Sequence, residues 1–334
     1  MVGFVVLGVL LGLVVSGVSD TFSFRPVAAS KAYHPDVRPA KAKSRSADGE
    51  MMPRGSDRLR CYFPGRRFPA YSVTGGSCAL KCSHCEGRLL RGMRAVRDPD
   101  ALMVEGEKLA REGGTGFLLS GGCDARGRVP LGQFVDAVRA LRETKGLTAN
   151  LHTGLLDKAE AEILSRSQAD SYSVDLHQNP QVIRNVLHLD RAASSCSETL
   201  DALCSSVDGA VVPHVTVGLD WDGADALASI ELASDRRVDG LVVLVFTPLA
   251  GTEMVALGAP SDEIVLEVLE RARGMLDCPI SLGCMRPRGN SALEIAAIES
   301  GIRDIAMPSR ATLCWAEAHG IKAERIERCC AVHL

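Results

Sequence analysis

From residue 66 onward, short β-branched or apolar runs alternate with longer stretches whose apolar positions recur at helical spacing. The runs are FPAYSVT (68–74), GFLLSGG (116–122), LTANLHT (147–153), DSYSVDLH (170–177), VVPHVTVGL (211–219), LVVLVFTPL (241–249), PISLGCM (279–285) and RDIAMPS (303–309). Between them lie DPDALMVEGEKLAREG, LGQFVDAVRALRETKG and SDEIVLEVLERARGML. In the last, Ile264, Val265, Val268 and Leu269 fall near a 3.6-residue period, and Ser261 with Asp262 stands where a helix is capped. Strand–helix alternation predicts parallel strands joined by right-handed crossovers. Eight such runs predict an α/β fold, a (β/α)8 TIM-type barrel, complete or slightly open. An open doubly wound sheet is the alternative.

The pattern starts late. MVGFVVLGVLLGLVVSGVSD (1–20) is apolar and glycine-rich, with no basic residue ahead of it. It has three competing readings: a membrane anchor, a signal-peptide core, or sequence upstream of the true start, the last being preferred. Residues 21–60 are rich in Arg, Lys, Ser and Pro and read as a disordered linker. A basic segment there would suit an anchor whose globular part is cytoplasmic. The barrel is expected over 61–320, with a C-terminal tail over 321–334.

In a barrel, chemistry belongs to the C-terminal ends of the strands and the loops after them. The first run is followed by GGSCALKCSHC, and later runs end in SGGCD, HTG, DLHQN, TPLAGTEM and GCMRPRG. Cysteine, histidine, aspartate, arginine and glycine crowd that rim.

A net charge of −3 gives no pull toward nucleic acid, and 4% aromatic residues leave little for base stacking, so no nucleic-acid partner is expected. The twelve cysteines change the picture. Their uneven spacing in a long chain does not resemble a disulfide framework and points to metal chemistry in a reducing, cytoplasmic setting. Cys78, Cys82 and Cys85 form one tight triplet with no matching pair nearby. Structural zinc usually takes four protein ligands. Three thiolates instead suit a [4Fe–4S] cube with one iron left open, so iron–sulfur is preferred to zinc. His84, between two of these cysteines, is expected to face solvent or a supporting partner.

A CxxxCxxC triplet after the first strand of a β/α barrel resembles the signature of the radical S-adenosylmethionine (radical SAM) superfamily, over roughly residues 66–310. The resemblance implies a [4Fe–4S] cluster on Cys78, Cys82 and Cys85. It implies S-adenosyl-L-methionine chelated to the open iron, and a 5′-deoxyadenosyl radical made by one-electron cleavage. Gly121 and Gly122 match the turn that binds the methionine end, where Cys123 replaces the usual glutamate. Asp175 and His177 lie where polar groups meet the ribose; loop caps or surface side chains are the plain alternative. VTVGL (215–219) and PLAGT (248–252) resemble stretches that frame the adenine and the far side of the cofactor.

Five blocks, YSVTGGSCALKCSHCEGRLLRGM, SGGCDARGRVPL, VPHVTVGL, TPLAGTEM and LGCMRPRG, further resemble the biotin synthase-like, archaeal-type two-protein lipoyl synthase. That resemblance implies a sulfurtransferase inserting sulfur into a protein-bound octanoyl chain, for lipoyl cofactor synthesis. Its partners would be an electron donor such as ferredoxin, a second radical SAM subunit and a lipoyl-carrier protein. Relatives draw sulfur from a second iron–sulfur cluster. Cys61, Cys123, Cys284, Cys329 and Cys330 are its candidate ligands, with Cys284 and Arg286 as candidate catalytic groups. Cys196, Cys204, Cys278 and Cys314 are read as small buried hydrophobes. The alternatives are a radical SAM enzyme of another reaction type, biotin-synthase-like or a mutase, and a non-catalytic metal-bound scaffold.

Overall fold

A computed structural model describes residues 58–332. The readings of residues 1–20, and of the linker up to residue 57, lie outside the described residues.

All eight predicted runs contain a strand, and every ladder is parallel. One sheet takes the order β3 (Arg94–Ala95), β2 (Ala70–Ser72), β4 (Gly116–Ser120), β5 (Thr148–His152), β6 (Ser171–Ser173) and β7 (Ala210–Val211). The other takes the order β12 (Lys322–Ile326), β1 (Arg58–Tyr62), β11 (Asp304–Ala306), β10 (Ile280–Leu282), β9 (Leu241–Val245) and β8 (His214–Val217). β7 and β8 are two parts of one extended stretch interrupted at Val212–Pro213. β6 and its extension run beside both: Val212 N donates to Tyr172 O at 2.9 Å and His214 N to Val174 O at 2.8 Å. A single bridge, Asp175 with His214, joins the sheets there. At the opposite edges, the described residues show no ladder between β12 and either β2 or β3. Side chains meet there instead: Thr115 Oγ1 donates to Glu327 O at 2.7 Å, and Arg67 Nη1 to Glu327 Oε2 at 2.5 Å. The result is a partial, open barrel.

Strand alternation separates two environments. Phe117, Leu119, Ala149, Leu151, Val215, Val217, Leu241 and Val243 belong to the main core. They share it with Leu102 and Leu109 of α1 (Pro99–Arg111), Val138 and Leu141 of α2 (Val135–Lys145), and Val265, Val268 and Leu269 of α6 (Asp262–Met275). Between α2 and α6 lie α3 (Lys158–Ser165), α4 (Ser194–Ser206) and α5 (Ala224–Ser234); α7 (Ser291–Glu299) and α8 (Arg310–Ala318) follow. The intervening strand residues, including Leu118, Asn150, His152, Thr216 and Leu244, line the interior. α1 is capped by Asp98, whose Oδ1 accepts from Ala101 N at 2.8 Å. Ser261 stands at the N-cap of α6 but makes no capping hydrogen bond.

Three strands were absent from the eight-run pattern: β1, the two-residue β3, and β12. β1 begins at Arg58, inside the stretch read as linker, and β12 occupies part of the stretch read as tail. β12 leads into residues 329–332, which enter the barrel. Cys330 and Ala331 pack with Tyr62, Val212, Val242 and Ala306, forming an apolar floor. Above it, Asn150 Nδ2 donates to Cys329 Sγ at 3.8 Å. No helix among the described residues is long and apolar enough to cross a membrane.

Candidate metal centre and cavity

The cysteine triplet sits in the loop after β2, at the C-terminal rim of the parallel strands. Lys81 (φ 45°), Glu86 (φ 48°) and Gly87 (φ 73°) all adopt left-handed backbone, so the loop coils tightly. Three neighbours hold it. On one side Ala79 N donates to Cys123 O at 2.8 Å, and Gly122 N to Thr74 Oγ1 at 2.7 Å. On a second, Ser83 N donates to Val186 O at 2.8 Å and His188 Nδ1 lies 3.1 Å from Leu80 O. On the third, Ser83 Oγ donates to Glu253 Oε2 at 2.5 Å and Arg88 Nη2 to Gly251 O at 2.7 Å. PLAGT (248–252) and the residues after it therefore brace the cysteine loop.

Gly122 is required by contact. A Cβ there would fall 2.0 Å from Ser77 O and 2.7 Å from both Cys78 Cα and Cys78 Cβ. The glycine pair lets the turn after β4 touch the backbone that presents Cys78.

The Cys82 and Cys85 sulfurs and a ring nitrogen of His84 lie within 4.8 Å of one another. A hydrogen bond from Cys82, with help from His84, pulls the Cys85 thiol down to about 4, while Cys82 is pushed up. The pair thus favours one thiolate before any metal arrives. His84 was expected to face solvent or a partner; it lines the cavity with a buried Nδ1 that makes no hydrogen bond. Cys78 lies outside this 4.8 Å group but on the same braced loop, and three thiols so held suit the wider spacing of ligands on an iron–sulfur cluster.

Cys78, Cys82 and Cys85 open onto a cavity of about 390 Å³, within the usual size for small-molecule sites. Gly121, Gly122, Cys123, Asp175, His177, Cys284, Cys329 and Cys330 line the same cavity. Burial, and secondarily Cys78, push the Cys123 thiol up to about 12. Cys284 is exposed at the rim beyond β10. Cys330 belongs mainly to the apolar floor, and its hydrogen bond to Cys329 holds Cys329 down to about 7.

Two candidates lie elsewhere. Cys61 is buried in the core between strands and helices, its Sγ 3.6 Å from Leu59 O, and burial pushes it up to about 12. Strand alternation turns it away from the interior. Arg286 is buried and fully engaged: it pairs with Glu294 at 2.6 Å and donates to Gly283 O and Ala306 O, each at 2.6 Å. It ties the β10 loop to the end of β11 and has no place in the cavity wall. Of the four cysteines read as buried hydrophobes, Cys196 is buried, Cys204 and Cys278 are half-buried, and Cys314 is exposed on α8.

His177 Nδ1 lies 2.7 Å from Asp225 Oδ2, and Oδ1 of the same carboxylate accepts from Gln178 N and Asn179 N. That carboxylate fixes the turn beyond β6. Asp175 faces His152 and His214 instead. Burial opposes its charge, but the two imidazoles hold its carboxyl well below the usual range. Neither histidine stood out as a ligand in the sequence. The available signal was alternation, which places His152 with Asn150, and His214 with Thr216, on inward-facing positions.

No family model matches the chain, and no curated protein matches it. Among solved structures it is similar to methylornithine synthase (PylB), with TM-score 0.58 and 15% identity over 81% of this chain and 85% of that one. It is similar to HydG, a maturase of the [FeFe]-hydrogenase, with TM-score 0.58 and 14% identity over 75% of this chain and 57% of that one. It is also similar to the HMG-CoA lyase from Brucella melitensis, with TM-score 0.50 and 10% identity over 81% and 93%. At these identities the likeness is one of fold: the chain has the α/β barrel architecture of these enzymes.

Proposed function

We propose that this chain is a radical SAM enzyme. One observation carries the reading: three thiols on a single braced loop, at the rim of a parallel barrel, face a cavity while a Gly-Gly turn touches the backbone of the first. The likeness in fold to methylornithine synthase and HydG supports it. Cys78, Cys82 and Cys85 would hold a [4Fe–4S] cluster, and the Gly121–Gly122 backbone would receive the methionine end of S-adenosylmethionine. When bound, the pair supplies a 5′-deoxyadenosyl radical by one-electron cleavage of the sulfonium. The chain's own residues keep the loop in place, shape the cavity and restrict water. Replacing Cys78, Cys82 and Cys85 together by alanine should abolish 5′-deoxyadenosine formation under dithionite. Formation at the wild-type rate in that variant would sink the proposal.

The finer reading is sulfur insertion into a protein-bound octanoyl chain, in lipoyl synthesis, with ferredoxin, a second radical SAM subunit and a lipoyl-carrier protein as partners. Cys284 and Cys329 support it, because both line the cavity that the triplet faces. Replacing these two by alanine should leave 5′-deoxyadenosine formation intact and remove thiolated product from an octanoylated carrier protein. A second reading, a radical enzyme without sulfur insertion, is favoured by the placement of Cys61 in the outer core and Cys330 in the apolar floor. It gains if intact protein and partner give no thiolated product.

A further inference from the structure

The barrel interior holds a second group of metal-ligating side chains, separate from the cysteine loop. His152 ends β5, Asp175 lies just beyond β6, and His214 begins β8. One ligand atom from each lies within 4.8 Å of the other two. His152 Nε2 stands 3.5 Å and His214 Nδ1 3.8 Å from the same oxygen, Asp175 Oδ1. Both separations exceed the ordinary N–H···O range of about 2.7–3.2 Å. They approach the roughly 3–3.5 Å between neighbouring ligand atoms on a first-row metal whose bonds are about 2.0–2.2 Å long. The two imidazole rings are 5.0 Å apart and tilted by 34°, so they do not stack face to face.

Three adjacent parallel strands position these groups, which makes the arrangement rigid. The Asp175–His214 bridge is the junction between the two sheets, so two of the three residues are locked by backbone pairing. Leu176 N donates to His214 O at 2.9 Å, securing the same register. All three side chains line the main cavity. The Asp175 side chain keeps 46% exposure, so an ion can reach its carboxylate from the cavity. A divalent ion would take one ligand atom from each of the three groups together.

We infer that His152, Asp175 and His214 form a binding site for one divalent transition-metal ion, zinc or ferrous iron, inside the barrel. Two histidines and one carboxylate on one side leave coordination positions open toward the cavity. A water or a substrate carboxylate would occupy them. The site's function would then be to anchor an anionic group of the substrate at a fixed distance from the cysteine loop. The inference holds whether or not the chain performs radical chemistry.

The full chain, isolated anaerobically, is dialysed against zinc and then against metal-free buffer, and its metal content is measured. About one equivalent of retained zinc is expected, with iron unchanged. His214→Ala should retain none. Asp175→Asn, which keeps the side chain's shape, should weaken zinc binding at least about 100-fold and leave the circular dichroism spectrum unchanged. Cobalt in place of zinc should show visible d–d bands without a strong thiolate charge-transfer band. Cys284→Ala and Cys329→Ala should keep the ion. Absence of retained zinc in the wild type overturns the inference. So does zinc that survives both His214→Ala and Asp175→Asn, or that leaves with either cysteine. If His214→Ala does not fold, the Asp175→Asn affinity decides.

Discussion

Gly122 lies so close to Cys78 that it has no room for even one methyl group, because Ser77 O, Cys78 Cα and Cys78 Cβ occupy that space. Gly122→Ala must therefore push the cysteine loop away from the turn after β4. Overpacking of this kind costs about 1–3 kcal/mol. The expected outcome is a lower thermal midpoint together with reduced iron retention. Gly76, whose Cβ would meet nothing within 4 Å, is the control, and Gly76→Ala should retain iron as the wild type does. Equal iron content in Gly122→Ala and wild type would show that the contact does not position Cys78.

His177 gives the fold a pH dependence. Burial alone would lower its affinity for a proton, but the hydrogen bond and charge of Asp225 raise it above the ordinary value. A histidine raised in the folded state contributes stability that is full below its unfolded pKa, about 6.5, and is lost as pH rises through the higher folded value. Asp225→Asn keeps an acceptor for Gln178 N and Asn179 N while removing the charge. The gap in thermal midpoint between wild type and this variant should be widest near pH 5–6 and shrink toward pH 9. A gap independent of pH would mean that Asp225 does not raise the proton affinity of His177.

The Arg286–Glu294 pair should matter to stability more than to chemistry. Both side chains are almost wholly buried, at 1% and 3% exposure, and Glu294 also accepts from Ser309 N and Thr312 Oγ1. Arg286→Met leaves a buried carboxylate without its cation, at a cost of about 3–5 kcal/mol. Adding Glu294→Gln should recover part of the loss, since a neutral amide needs no counter-charge. Denaturant unfolding of the two single variants and the double variant checks this through the coupling energy. Simple additivity would contradict it.

The helical and strand periods exposed the eight-run frame because both faces of each inner strand meet protein, so LVVLVF and GFLLS read as nearly continuous apolar runs. The strand β1, RLRCY, is mostly buried but short and broken by two arginines, while β12 was not legible for the opposite reason. Lys322, Ala323, Glu324 and Arg325 are all exposed at a sheet edge and carry no hydrophobic signature. Cys78, Cys82 and Cys85 were legible from local spacing. Arg286 was misplaced because a strand-end arginine in sequence does not disclose a carboxylate on α7. His152, Asp175 and His214 became a group only through the register of three strands separated by many residues. His188 and Glu253 brace the cysteine loop through Ser83 from two distant segments, which no local pattern reports.

The floor beneath the cavity is laid by Cys330 and Ala331, while the walls come from strands that begin near residue 58. During synthesis the walls and the cysteine loop leave the ribosome well before the residues that seal the interior. The closing contacts, such as Arg67 with Glu327, span 260 residues. Contacts of such long range are slow to form. A nascent chain therefore passes through a stage in which the thiols are presented above a barrel still open at its base. The order of translation leaves the interior reachable from two ends until β12 pairs with β1.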